Sequence, residues 1–156
     1  MVPRCHPGTV FRRWFVAEPK VWTFFYGSYI NFDVLSEVEL EPSEWEVALL
    51  LGYDITIEPR ANLERSDAGI VYGIVATATH RQLNDLYAHA KEVLGETYLP
   101  EAVLTETLDR TWRPALCYIC PDMEPRPADP DYVARILGPA RQYGFPSWYL
   151  DRLARF

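Results

Sequence analysis

The sequence is short of positive charge, of cysteine and of long apolar runs, and each shortage removes a class of function. Its 15 Lys and Arg face 22 Asp and Glu, for a formal net charge of -7, which repels phosphate backbones and anionic headgroups at long range. Neither a nucleic-acid partner nor a membrane surface is expected. No apolar stretch approaches the roughly 20 residues needed to cross a bilayer, and the first residues lack the compact apolar centre of a secretory signal. A cytoplasmic location is therefore the expectation. Three cysteines are too few, and odd in number, for a disulfide framework, which fits a reducing compartment. Cys117 and Cys120 do form a CxxC, but the surrounding PALCYICP reads as a strand, where side chains three apart point to opposite faces. With no second CxxC and no paired histidines to complete a tetrahedral set, no metal site is expected.

What the sequence has is a core. Hydrophobic residues make up 49% and aromatics 14% of 156 residues, enough to offset chain entropy around one domain. Residues 1–20 read as an N-terminal arm, basic through Arg4, Arg12, Arg13 and Lys20 against Glu18. Val10, Phe11, Trp14 and Phe15 would anchor that arm over a sheet edge or into a homodimer. The domain itself is expected over residues 21–156.

Along that domain, VWTFFYGSYI reads as a buried strand running into a glycine loop. One helical turn is expected from Phe32 to Leu35. The stretch EWEVALLLGYDITIEP suggests one or two adjoining strands with Gly52 as a bulge, ANLERSDAG is turn-rich, and GIVYGIVAT is a further strand. The period then becomes helical: Leu83, Leu86, Tyr87, Ala90 and Leu94 share one face, with Gly95 suited to the C-terminal cap. That stripe reads as core packing. Tyr98 to Thr105 and Arg113 to Cys120 suggest a strand pair, MEPRPADPD a stiff linker, and residues 131–143 and 147–156 two helices separated by Gly144 and Pro146. Strands and helices in this order make an α+β fold.

Three blocks in this order resemble the gamma-glutamylcyclotransferase-like family. FFYGSYINFDVL at residues 24–35 is similar to the family's strand and YGSN-type loop followed by a leucine. VYGIV at 71–75 precedes a leucine-spaced helix and a tyrosine at a strand start, here Tyr98. DPDYVARILGPARQYGFPSWYLDRL at 129–153 looks like the family's closing pattern of tyrosine, isoleucine, glycine-alanine, glycine, proline and tyrosine. The resemblance implies a small mixed barrel of five or six strands with flanking helices and a pocket at one end. It also implies a gamma-glutamyl substrate closed there to 5-oxoproline, releasing the amine or amino acid it was joined to, with no metal or cofactor. Two positions depart from the pattern. Tyr29 stands where the family carries asparagine, with Asn31 as a possible substitute, and Ala90 stands where it carries its glutamate.

The loop suits such chemistry. The substrate's own α-amine attacks its γ-carbonyl, and holding the pair in near-attack geometry can recover about 7 to 11 kcal/mol of the barrier. Backbone N–H donors must then meet the developing oxyanion and the substrate carboxylate, and Gly27 followed by Ser28 lets backbone approach a ligand closely. Tyr26, Gly27, Ser28, Tyr29, Ile30 and Tyr98 are the candidate substrate-binding residues, and Tyr87 and Tyr118 could line the same pocket. The proton carrier must be a carboxylate with a raised pKa. Glu92 keeps the right distance from Tyr98 but points about 180° from Leu83 on an unbroken helix. Glu96 would share a face with Tyr98 in an extended segment. Both are candidates, each also readable as a solvated surface carboxylate. The alternative to an enzyme is a ligand-binding or assembly module that keeps the pocket and has lost the acid-base group.

Overall fold

The computed structural model describes residues 17–156, so the proposed arm, apart from residues 17–20, lies outside the described residues. Five strands form the scaffold: β1 (Lys20–Phe25), β2 (Trp45–Ile57), β3 (Ala61–Thr79), β4 (Leu99–Thr107) and β5 (Trp112–Ile119). Their order is β1-β3-β2-β4-β5. The sheet closes into a ring because β5 pairs back onto β1 in parallel, Thr23 against Leu116 and Phe24 against Cys117, whereas the other pairs are antiparallel. The expected mixed architecture is present, with five strands.

The β-branched and aromatic composition of β1 explains its place. Thr23, Phe24 and Phe25 are all buried, so consecutive residues on opposite faces are both covered and the strand lies within the core. Gly52 has φ +82 and marks the register shift between Leu51 and Tyr53, a bulge that bends β2 as the ring curves. Across from it, a Cβ on Gly69 would lie 2.1 Å from the Tyr53 carbonyl oxygen, so only glycine permits this approach. ANLERSDAG is not a turn: it is the first part of β3, paired with Tyr53–Ile57. Buried Ala61 and Leu63 alternate with the less buried Asn62 and Glu64. That two-residue period wins over the polar composition.

Among the described residues, four α-helices flank the ring: α1 (Phe32–Glu37), α2 (His80–His89), α3 (Pro130–Gln142) and α4 (Ser147–Leu153). Thr79 and Gln82 form a reciprocal capping box at the start of α2. After His89 the chain widens into a π-helical turn, Ala90–Leu94, which ends on Gly95 at φ +74. This segment carries the chain from the Thr79 end of the ring back to Leu99. The register places the end of β1, the start of β3, the start of β4 and the end of β5 at that same end. Ile136 and Ala140 of α3, with Tyr149 and Leu153 of α4, join the buried cluster that contains Phe24, Ile74 and Leu83.

Candidate functional site

At this end of the ring lies a cavity of about 40 Å³. Its first wall is the loop leaving β1. A Cβ on Gly27 would sit 2.5 Å from the Ala61 Cβ and 3.3 Å from the Tyr132 hydroxyl oxygen. The φ of Gly27 is -106, so the position needs glycine for space rather than for backbone freedom. The chain then makes a 3-10 turn over Ser28–Ile30, in which the Ile30 N–H donates to the Gly27 carbonyl and the Asn31 N–H to the Ser28 carbonyl. The N–H groups of Gly27, Ser28 and Tyr29 have no backbone acceptor among the described residues. Asn31 supports the loop from behind: its side chain caps α1 by accepting from the Asp33 N–H, and its Nδ2 donates to the Arg135 carbonyl at 3.1 Å.

The second wall is the tip of the β2–β3 hairpin, Arg60 and Ala61. Two phenols bracket Ala61, whose N–H donates to the Tyr132 hydroxyl at 3.0 Å and whose carbonyl accepts from the Tyr98 hydroxyl at 2.8 Å. The Arg60 guanidinium lies 4.9 Å over the Tyr132 ring, a cation–π contact that orients it. Arg60 forms no ion pair among the described residues. It is the one charged side chain on the cavity among the described residues.

The third wall is α2 and its terminal turn, which contribute Tyr87, Ala90 and Leu94. Tyr87 stacks on Tyr118 with ring centroids 3.8 Å apart and also packs on Tyr29 and Tyr98. Burial pushes the phenols of Tyr26, Tyr87, Tyr98 and Tyr132 above their ordinary value, and that of Tyr29 to about 12. For Tyr132, hydrogen bonds from Ala61 and Ser28 oppose the rise. All of these phenols are protonated at neutral pH, so they offer dipoles and donors and no base.

The candidates from the sequence separate into three groups. Tyr26, Gly27, Ser28, Tyr29 and Tyr98 come together on the cavity, although the Tyr26 hydroxyl is committed to the Tyr118 carbonyl at 2.6 Å. Ile30 does not line the cavity; it is wholly buried in the core. The 3-10 turn rotates successive side chains by about 120°, which turns Ser28 and Tyr29 to the cavity and Ile30 away. Neither glutamate lines it. Glu92 is exposed on the π-helical turn, and Glu96 is 7% exposed with its carboxylate beside the Cys120 thiol at 3.8 Å and Arg126 at 3.7 Å. Ala90 is the residue that faces the cavity, in the position the resemblance gives to the catalytic glutamate. Arg60, Ala61 and Tyr132 were not evident from the sequence. The arginine follows Pro59 between two β segments, a hairpin signal hidden by the polar composition that follows it.

No protein-family model matches the sequence, and no curated protein does so either. Solved structures do match. An uncharacterised human protein superposes with a TM-score of 0.76 at 21% identity, covering 87% of this chain and 87% of its own. A gamma-glutamyl cyclotransferase gives 0.70 at 21% identity, with 86% of each chain covered. A yeast gamma-glutamyl cyclotransferase specific to glutathione gives 0.60 at 12% identity over 88% of this chain and 97% of that one. The fold is that of the gamma-glutamylcyclotransferases, as the three sequence blocks imply. No helix among the described residues is long and apolar enough to cross a membrane.

Proposed function

We propose that the cavity is a binding site for a gamma-glutamyl group, and that it holds this group without converting it. The observation that carries the reading is the make-up of the lining: loop amides and the Arg60 guanidinium on one side, Ala90 on the other, and no carboxylate among the described residues. A carboxylate at the end of a gamma-glutamyl chain would be met by charge-assisted hydrogen bonds from Arg60 and the amides of residues 27–29. Ring closure needs one more part, a group that takes a proton from the α-ammonium and returns one to the leaving amine. Protonated phenols and a methyl group do not supply it.

The test is ligand-dependent thermal stabilisation by gamma-glutamyl compounds at millimolar concentration. At 100 times Kd, stabilisation of about 2.7 kcal/mol is expected, and α-linked peptides of the same size that carry no gamma-glutamyl group should give none. No shift across a panel of gamma-glutamyl amines and peptides removes the proposal.

A second reading, turnover to 5-oxoproline, draws support from the fold shared with named cyclotransferases and from Glu96, a buried carboxylate two residues before Tyr98. Glu92 is the weaker carrier because it is exposed. Under this reading Glu96→Gln abolishes product formation; product formation that survives both Glu96→Gln and Glu92→Gln excludes the two assignments.

A further inference from the structure

The cavity does not end at Arg60. A groove of about 200 Å³ continues outward from it, lined by Ser28, Tyr29, Arg60, Leu94 and Tyr132, all shared with the inner cavity, and further by Arg135 and His89. A ligand whose end sits against the loop can extend past the shared residues into this groove. Its polar chemistry is unlike that of the molecule as a whole. The chain carries a net charge of -7, yet two guanidiniums and an imidazole face the groove against one carboxylate, Glu37. Neither Arg135 nor Glu37 is in an ion pair among the described residues. The Arg135 backbone is fixed to the loop by the Asn31 Nδ2 bond to its carbonyl, so the residue stands at a defined place beside the site.

We propose that Arg135 reads a second negative charge on the ligand, located beyond the γ-amide. This inference rests on the binding of a gamma-glutamyl group in the inner cavity. An uncharged substituent there leaves the Arg135 guanidinium to water; a carboxylate meets a planar fork that matches it. Arg135 is therefore a specificity-determining residue, selecting among gamma-glutamyl compounds by the charge of the part that projects outward.

The experiment compares calorimetric affinities of two probes of nearly equal size, γ-glutamylglycine and γ-glutamylethylamide. The glycine conjugate is expected to bind about tenfold more tightly, the return for one charge-assisted contact. Arg135→Gln should reduce that preference to about threefold or less while leaving the affinity for the ethylamide within about twofold, because the substitution is exposed and touches only the outer group. The preference should also shrink as salt is raised. Equal affinity of the two probes for the native chain, or a preference untouched in Arg135→Gln, overturns the inference and leaves the inner site standing. Failure of both probes to bind overturns the inference and the binding site together.

Discussion

The Gly27 loop and the end of α2 face each other across one cavity, and their chemistry is opposite. On the loop side, backbone amides without backbone acceptors and an Arg60 without an ion pair among the described residues present positive potential. On the α2 side, Tyr87, Ala90 and Leu94 present rings and methyl groups. In the function proposed above, holding an anionic group and moving a proton on it are separate tasks given to separate walls. The first is supplied by main chain and by one hairpin arginine, so it survives side-chain change along the helix. The second, in that proposal, depends on one side chain at one helical position, where this chain has Ala90.

The largest effect on this contrast should come from Gly27→Val. The added Cβ meets Ala61 at 2.5 Å, which forces the loop away from the hairpin and closes the space the amides face. Gamma-glutamyl binding should vanish, and denaturant unfolding should show a loss of about 1–3 kcal/mol from overpacking. Native affinity in this variant would mean that the loop is not the binding wall. Next in size is Arg60→Gln, which removes the charge and keeps a planar polar group. Affinity for gamma-glutamyl ligands should fall about tenfold to a hundredfold, while stability changes by no more than the roughly 0.5–1 kcal/mol of an exposed cation–π contact.

These expectations rest on residues of unequal legibility. The YGS triplet and the helix face of Leu83, Leu86, Tyr87 and Ala90 were both visible in the sequence, because backbone geometry and helical period are local properties; the widening into a π-helical turn before Leu94 was not. The five strands were visible too, except for the start of β3. There, Asn62, Glu64, Arg65, Ser66 and Asp67 hide a strand whose pairing partner is β2, and pairing is not written in composition. The same error concealed Arg60, since a residue at a hairpin tip cannot be placed until both strands are recognised. Tyr132 reaches Ala61 from 71 residues away, a contact that no local pattern encodes. Glu96 illustrates the converse. Its spacing from Tyr98 suggested a shared face, but the thiol of Cys120 and the guanidinium of Arg126 draw the carboxylate elsewhere.

That placement sets the smallest effect. Glu96→Gln removes one charge from a buried, partnered carboxylate and should destabilise the fold by about 1 kcal/mol, with ligand affinity unchanged. Glu92→Gln, on the exposed turn, should stay within about 0.5 kcal/mol. A loss of binding in either variant would join the glutamates to the cavity and weaken the contrast between its walls.

The most direct measurement is mass-spectrometric detection of 5-oxoproline after prolonged incubation of the native protein with a gamma-glutamyl ligand that calorimetry has shown to bind. Saturable binding and no 5-oxoproline above the rate without protein are expected. Catalytic release of 5-oxoproline from the bound ligand would contradict the proposed function, because it would require a proton carrier that Ala90 and the surrounding phenols do not provide.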